Sequence, residues 1–177
     1  MSEGLRLLYV PRMTHAVIVL LAVLGVIGQV LAGVLMIVAA VGLFRVRAPL
    51  HLLRQGIAGY ELWFVLVVAA IATGGSLFFS ESAGFIPCEL CWYQRICMYP
   101  LVIVLYPALA SDYRVARYFL PLPIAGAGVA VYHLLVENGV VEQAQACLIS
   151  APGGCATKWI NEFGYVTIPT LALTGFV

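Results

Sequence analysis

Two thiols and a guanidinium recur at helical spacing in Gly84-Phe85-Ile86-Pro87-Cys88-Glu89-Leu90-Cys91-Trp92-Tyr93-Gln94-Arg95. Proline suits the first turn of a helix, where its missing N–H is not needed and its fixed φ already fits, so a helix is expected from Pro87. On that helix Cys88, Cys91 and Arg95 fall at i, i+3 and i+7, which is one stripe. A thiolate near a helix N-terminus feels the positive end of the dipole, and a nearby guanidinium lowers its pKa further. These are conditions for thiol–disulfide exchange. Cys88 is expected to be the more exposed member and to accept the interchange, with Cys91 nearer Arg95 and the bilayer.

A second pair, Cys147 and Cys155, flanks Ser150-Ala151-Pro152-Gly153-Gly154. That turn-forming stretch can bring the two Cα atoms within disulfide range. Their bridge has two readings. It is a staple closing a small loop, worth about 2–3 kcal/mol, or an exchangeable bridge open to an incoming thiolate. A flexible, exposed loop favours exchange. For Cys88 and Cys91 the alternatives are a structural disulfide or, with Cys147 and Cys155, a four-cysteine zinc site. Arg95 puts positive charge on the stripe that would hold such a metal, so none is expected.

The elements that hold these residues follow from composition. Of 177 residues, 63% are hydrophobic and 10% charged, and the mean hydropathy is +1.04. A soluble domain would be roughly 45–50% apolar, so the chain is expected to be an all-α integral membrane protein. A net charge of +1 gives no field for nucleic acid. The first apolar run, Thr14 to Phe44, covers about 30 residues, or roughly 45 Å of helix. It is far longer than a signal-peptide core of about 7–15 residues and should be retained. One long tilted span is favoured over a hairpin turning near Gly25-Val26-Ile27-Gly28-Gln29.

Arg45, Arg47, His51 and Arg54 then form the most basic loop, cytoplasmic by the positive-inside rule. A second span runs from about Glu61 to Phe79, with Glu61 solvated at the inner edge and Gly74-Gly75-Ser76 allowing close helix contact. A third runs from Trp92 to about Leu109, and Trp92 and Tyr93 suit an interfacial belt. Asp112, Arg114 and Arg117 return the chain to the cytoplasm. The fourth runs from about Tyr118 to Val136. Glu137 to about Tyr165, with three Glu against one Lys, is then an extracytoplasmic loop. This topology puts both cysteine pairs outside. A last apolar run opens near Val166 with Pro169 as a helix-start proline. At about 12 residues, roughly 18 Å, it is too short to cross a bilayer and reads as a truncated span.

An arginine at membrane depth costs up to about 2.5–3.5 kcal/mol on the lower scales and is functional by default. Its bland alternative is snorkelling to headgroups. Electrons leaving a dithiol at a membrane need a lipid-soluble acceptor, and a quinone is the obvious one. Arg95 would stabilise both the Cys91 thiolate and the anionic quinone states. His133, near the outer end of its span, either hydrogen-bonds a quinone oxygen or caps a neighbour. Cys97 faces away from the stripe and reads as core packing.

Phe85-Ile-Pro-Cys-Glu-Leu-Cys-Trp-Tyr-Gln-Arg95, the Tyr132-His133 pair, the second cysteine pair and Thr167-Ile-Pro169 together resemble the DsbB family, and more closely its BdbC-like branch. The resemblance covers about Glu61 to Val177. It implies a four-helix bundle at 57–177, preceded by an extra span and basic loop at 1–56 and ending in an incomplete helix. It further implies an enzyme of the bacterial plasma membrane that takes electrons from a DsbA-type thioredoxin-fold oxidase and passes them to ubiquinone or menaquinone. By that resemblance Cys147 and Cys155 receive the electrons, Cys88 and Cys91 reoxidise them, and Arg95 lies by the quinone. The rival readings are a membrane scaffold with stapling bridges and an enzyme of vitamin K epoxide reductase type. In the latter the Cys-x-x-Cys pair comes late in the bundle, the reverse of the order here.

Overall fold

In the computed structural model of the chain, residues 3–44, 60–110 and 117–177 are described. They are helical, with a single β-bridge, between Glu162 and Val166, and no strand. Among the described residues three segments are long and apolar enough to cross a membrane: Met13–Ala40, Glu61–Ser82 and Arg117–Glu137. The basic residues Arg45, Arg47, His51 and Arg54, and the loop residues Asp112 and Arg114, lie outside the described residues.

Helix α1, Glu3–Phe44, is continuous through Gly25 to Gln29, so the single-helix reading describes it and the hairpin does not. From Thr14 onward its apolar sequence contains no proline to break the backbone ladder. Helix α2, Glu61–Leu77, continues into a π-helical turn over Phe78–Ser82. Gly75 lets α1 approach, since a Cβ there would lie 3.2 Å from the Leu21 side chain. Helix α3 is Glu89–Ala110, α4 is Pro121–Glu137 and α6 is Ile168–Phe176. The polar run Tyr93-Gln94-Arg95 and the internal prolines Pro100 and Pro107 leave α3 less apolar than the other three long helices.

Leu66 and Ala69 of α2 pack against Met98, Leu101 and Leu105 of α3, with Phe176 of α6 against the same cluster. The N-terminus of α6 is a capping box. The Thr167 N–H donates to Thr170 Oγ1 at 2.5 Å, which satisfies an orphan donor. The Thr167 hydroxyl donates to Glu137 Oε2 at 2.8 Å, pinning α6 to the C-terminal end of α4. Pro169 occupies the first turn, as expected. Gln29 ties α1 to this end of the molecule by donating to Thr174 Oγ1 at 3.1 Å and accepting from the Tyr165 hydroxyl at 3.0 Å.

Two local expectations need correction. Helix α3 starts at Glu89, two residues after Pro87. The preceding segment has no regular structure, and Phe85 in it stacks between Phe79, at 6.0 Å, and Trp159, at 5.2 Å. The segment from Glu137 to Tyr165 is folded rather than a flexible loop. It contains the short helix α5, Gln145–Ser150, and a 3-10 turn, Gly154–Ala156. Gly153 and Gly154 make the reversal between them at φ of 80° and 72°, values that glycine adopts without strain.

Candidate functional site

The end of the bundle where α3 begins and α4 ends holds a second buried cluster, formed by Cys88, Leu90, Val136, Cys147, Ala151 and Cys155, with Cys91 packed against it. Both cysteine pairs meet there. Cys88 sits just before α3, and its carbonyl accepts the Trp92 N–H at 3.2 Å. The sulfur is therefore at the positive end of the helix. Cys91 lies one turn on, and the two Sγ atoms are 3.2 Å apart as free thiols. Cys147 and Cys155 are bridged, with Cα atoms 5.3 Å apart. In this state two of the ligands of a four-cysteine zinc site are tied up in a disulfide.

The burial is the reverse of what the spacing suggested. Cys88 is 4% exposed, while Cys91 is only partly buried. Cys88 is covered because the 147–155 segment folds over the start of α3. The bridge itself is shielded, with Cys147 at 2% and Cys155 at 1%. Its inner side faces the cluster that contains Cys88.

His133 of α4 stands between the pairs and is almost fully buried. Its Nε2 is 3.0 Å from the Cys155 carbonyl oxygen and 3.8 Å from Cys88 Sγ. Its Nδ1 is 3.2 Å from Gln94 Nε2. Both ring nitrogens are engaged within the protein. Cys88, Cys91, His133, Glu137, Cys155 and Pro169 line one small cavity between the pairs.

The Cys88 thiol is lowered from 9.0 to about 4. The largest cause is the hydrogen bond from the Cys91 thiol; burial opposes it, and a hydrogen bond from His133 adds to the lowering. A hydrogen bond to the charged form favours that form, and here it outweighs desolvation. The low value favours the thiolate form of Cys88 beside the closed disulfide. Cys88 Sγ, Cys91 Sγ and a His133 ring nitrogen lie within 4.8 Å of one another, and these are also zinc-ligand types.

Arg95 turns from the thiols toward α2. Its Nε donates to Ser76 Oγ at 3.0 Å and one terminal nitrogen to the Ser76 carbonyl at 2.9 Å. Its guanidinium lies 5.3 Å from the centre of the Trp92 ring. Nη1 has no partner among the described residues. Cys97 is partly buried, and Glu61 is exposed.

Sequence reasoning passed over Gln94, Ser76 and Ser150. Gln94 carried a usable signal, because an uncharged amide inside an apolar run needs a buried partner. Ser76 and Ser150 carried none. Ser150 meets Glu89 across 61 positions, a contact that no local pattern reports.

The profile of a family described as "Disulfide bond formation protein DsbB" matches residues 60–176. "Disulfide bond formation protein C" of Bacillus subtilis is 47% identical over 124 residues, covering 67% of this chain and 83% of that protein. "Probable disulfide formation protein C" of Bacillus cereus is 50% identical over 120 residues, covering 67% and 85%. "Probable disulfide formation protein" of Deinococcus radiodurans is 41% identical over 126 residues, covering 66% and 81%. No solved structure matches the chain.

Proposed function

Since the chain belongs to the DsbB family of disulfide bond formation proteins, we propose that it is a quinone-dependent thiol oxidoreductase of the bacterial plasma membrane. In this reading it reoxidises a DsbA-type thioredoxin-fold partner outside the cytoplasm, and the family's four-helix core is formed by α2, α3, α4 and α6. The observation that carries the reading is the single buried cluster that holds the Cys88–Cys91 thiols against the Cys147–Cys155 bridge.

A partner thiolate attacks one sulfur of the 147–155 bridge, and the partner's second thiol displaces the mixed disulfide. The partner leaves oxidised, and Cys147 and Cys155 become thiols. One of these then attacks the Cys88 sulfur of a Cys88–Cys91 bridge and releases Cys91. The other closes the 147–155 bridge again. Two electrons now reside on Cys88 and Cys91, with one proton kept on the Cys91 thiol and the other released as Cys88 ionises, which is the arrangement described above. Cys91 and Arg95 continue the path toward the bilayer. Ubiquinone or menaquinone supplies a two-electron, two-proton acceptor. The residues present fit such a group, for Arg95 keeps Nη1 available and Trp92 and Ile96 offer exposed apolar surface beside it. His133 spends both ring nitrogens on Cys155, Cys88 and Gln94, so its role is assigned to the cysteine pairs and Arg95 alone to the quinone.

The burial of Cys147 and Cys155 favours a second reading, in which the bridge only staples the outer segment. Trapping separates the two. In Cys91→Ala the Cys88 thiolate attacks the bridge and cannot be displaced by Cys91. Non-reducing peptide mapping then finds Cys88 joined to Cys147 or Cys155. A Cys88 that stays free beside an intact 147–155 bridge contradicts the exchange and leaves the staple.

A further inference from the structure

We infer that Gln94 is a positioning residue for thiol exchange: its side-chain amide fixes the His133 tautomer that presents Nε2–H to the Cys155 carbonyl and to Cys88 Sγ. The inference rests on the exchange reading above and assigns a further residue to it.

The argument is one of donors and acceptors. A backbone carbonyl only accepts, so the 3.0 Å contact between His133 Nε2 and the Cys155 oxygen requires the proton on Nε2. In the neutral ring Nδ1 is then an acceptor and needs a donor. Gln94 Nε2 stands 3.2 Å away, and both side chains are buried, where an unpaired nitrogen is costly. The same Nε2–H lies 3.8 Å from Cys88 Sγ. One proton thus faces the backbone of one cysteine pair and the sulfur of the other, and Gln94 holds it there from behind.

Without the amide donor the ring is free to move its proton to Nδ1. Nε2 would then turn a lone pair toward the Cys155 oxygen and the Cys88 thiolate, and both contacts become repulsive. The ionisable groups around Cys88 are Cys91 on α3 and His133 and Glu137 on α4. The 147–155 segment contributes a bridge that does not titrate, and α6 contributes Ile168 and Pro169.

The test is the pH dependence of Cys88 alkylation in the full chain in detergent, with Cys88 and Cys91 reduced and the 147–155 bridge intact, read by mass spectrometry of the Cys88 peptide. In Gln94→Met, which keeps the length of the side chain but not the donor, the midpoint is expected to rise by about one pH unit or more, a tenfold loss of thiolate at fixed pH. In Gln94→Glu the carboxylate accepts from Nδ1–H of a doubly protonated ring, Nε2–H is kept, and the midpoint stays low. An unchanged midpoint in Gln94→Met, or equal rises in both variants, overturns the inference and leaves Gln94 a packing residue. Should Gln94→Met not fold, 15N NMR of histidine-labelled wild-type chain decides: an Nε2–H ring supports the inference and an Nδ1–H ring overturns it. Neither readout needs a quinone or a protein partner. A shifted midpoint in a chain that lacks turnover would therefore sink the proposed function while the inference stands.

Discussion

The Ser150 hydroxyl accepts the backbone N–H of Glu89 at 3.2 Å and donates to the Cys147 carbonyl at 2.9 Å. A side chain at the end of α5 thus caps the first turn of α3, satisfying an orphan donor beside Cys88 and holding Cys147 over it. Ser150→Ala removes both bonds at a cost of about 1 kcal/mol, the usual size for a lost cap. Formation of the Cys88 cross-link in a Cys91→Ala background is expected to slow about fivefold, measured by quenched peptide mapping. An unchanged rate would mean that the 147–155 segment is held by its apolar contacts alone.

The pH dependence of the reduced chain follows from Cys88, lowered from 9.0 to about 4 chiefly by the Cys91 thiol and further by His133. Because the folded value lies below the unfolded one, ionisation stabilises the fold in full above about pH 9. The contribution declines as pH falls and is gone below about pH 4. The thermal midpoint of the reduced chain is expected to drop between pH 8 and pH 4. Cys88→Ala should flatten that part of the profile, and a parallel drop in the variant would assign the effect to other groups.

Ser76 holds Arg95 through its hydroxyl and its carbonyl. Hydrogen bonds to a charged group are each worth about 1.5–3 kcal/mol. Removing the guanidinium with Arg95→Ala is expected to lower quinone reduction about 10–100-fold and leave the Cys88 cross-link intact. Ser76→Ala, which keeps the carbonyl contact, should lower quinone reduction by less than tenfold. Equal loss of cross-linking and quinone reduction in Arg95→Ala would place the arginine in the thiol step instead.

Helix α6 reaches α4 through Gly126, where any Cβ would collide with the Phe176 ring. Gly126→Val is expected to destabilise the chain by about 1–3 kcal/mol through overpacking, read as a lowered thermal midpoint in detergent. Gly128 has no neighbouring atom within 4 Å of a built Cβ, so Gly128→Ala should leave the midpoint nearly unchanged. Similar losses at both positions would contradict this packing of α6.

What was legible in the chain was local. The apolar runs gave the long helices because a membrane demands internally satisfied backbone, and Cys88 and Cys91 could be placed near one another by their spacing, whereas the turn of Arg95 toward Ser76 could not. The turn residues between Cys147 and Cys155 foretold a short bridge. The burial of Cys88 was not legible, since it depends on Ser150 and Trp159 folding back on the start of α3 from more than 60 residues away. The same docking delayed the helix start from Pro87 to Glu89. His133 could be placed near the end of its span, but its partners Cys88, Gln94 and Cys155 lie before α3, on α3 and in the 3-10 turn, so only the packed structure sets it between the pairs.

The central claim is that electrons from an external dithiol cross from one cysteine pair to the other and leave by a quinone. Quinol formation in lipid vesicles that contain the chain, with a reduced thioredoxin-fold dithiol as donor, tests it most directly. Donor-dependent turnover by the chain and its abolition in Cys91→Ala are expected. No donor-dependent quinol, or undiminished turnover in Cys91→Ala, would contradict the account.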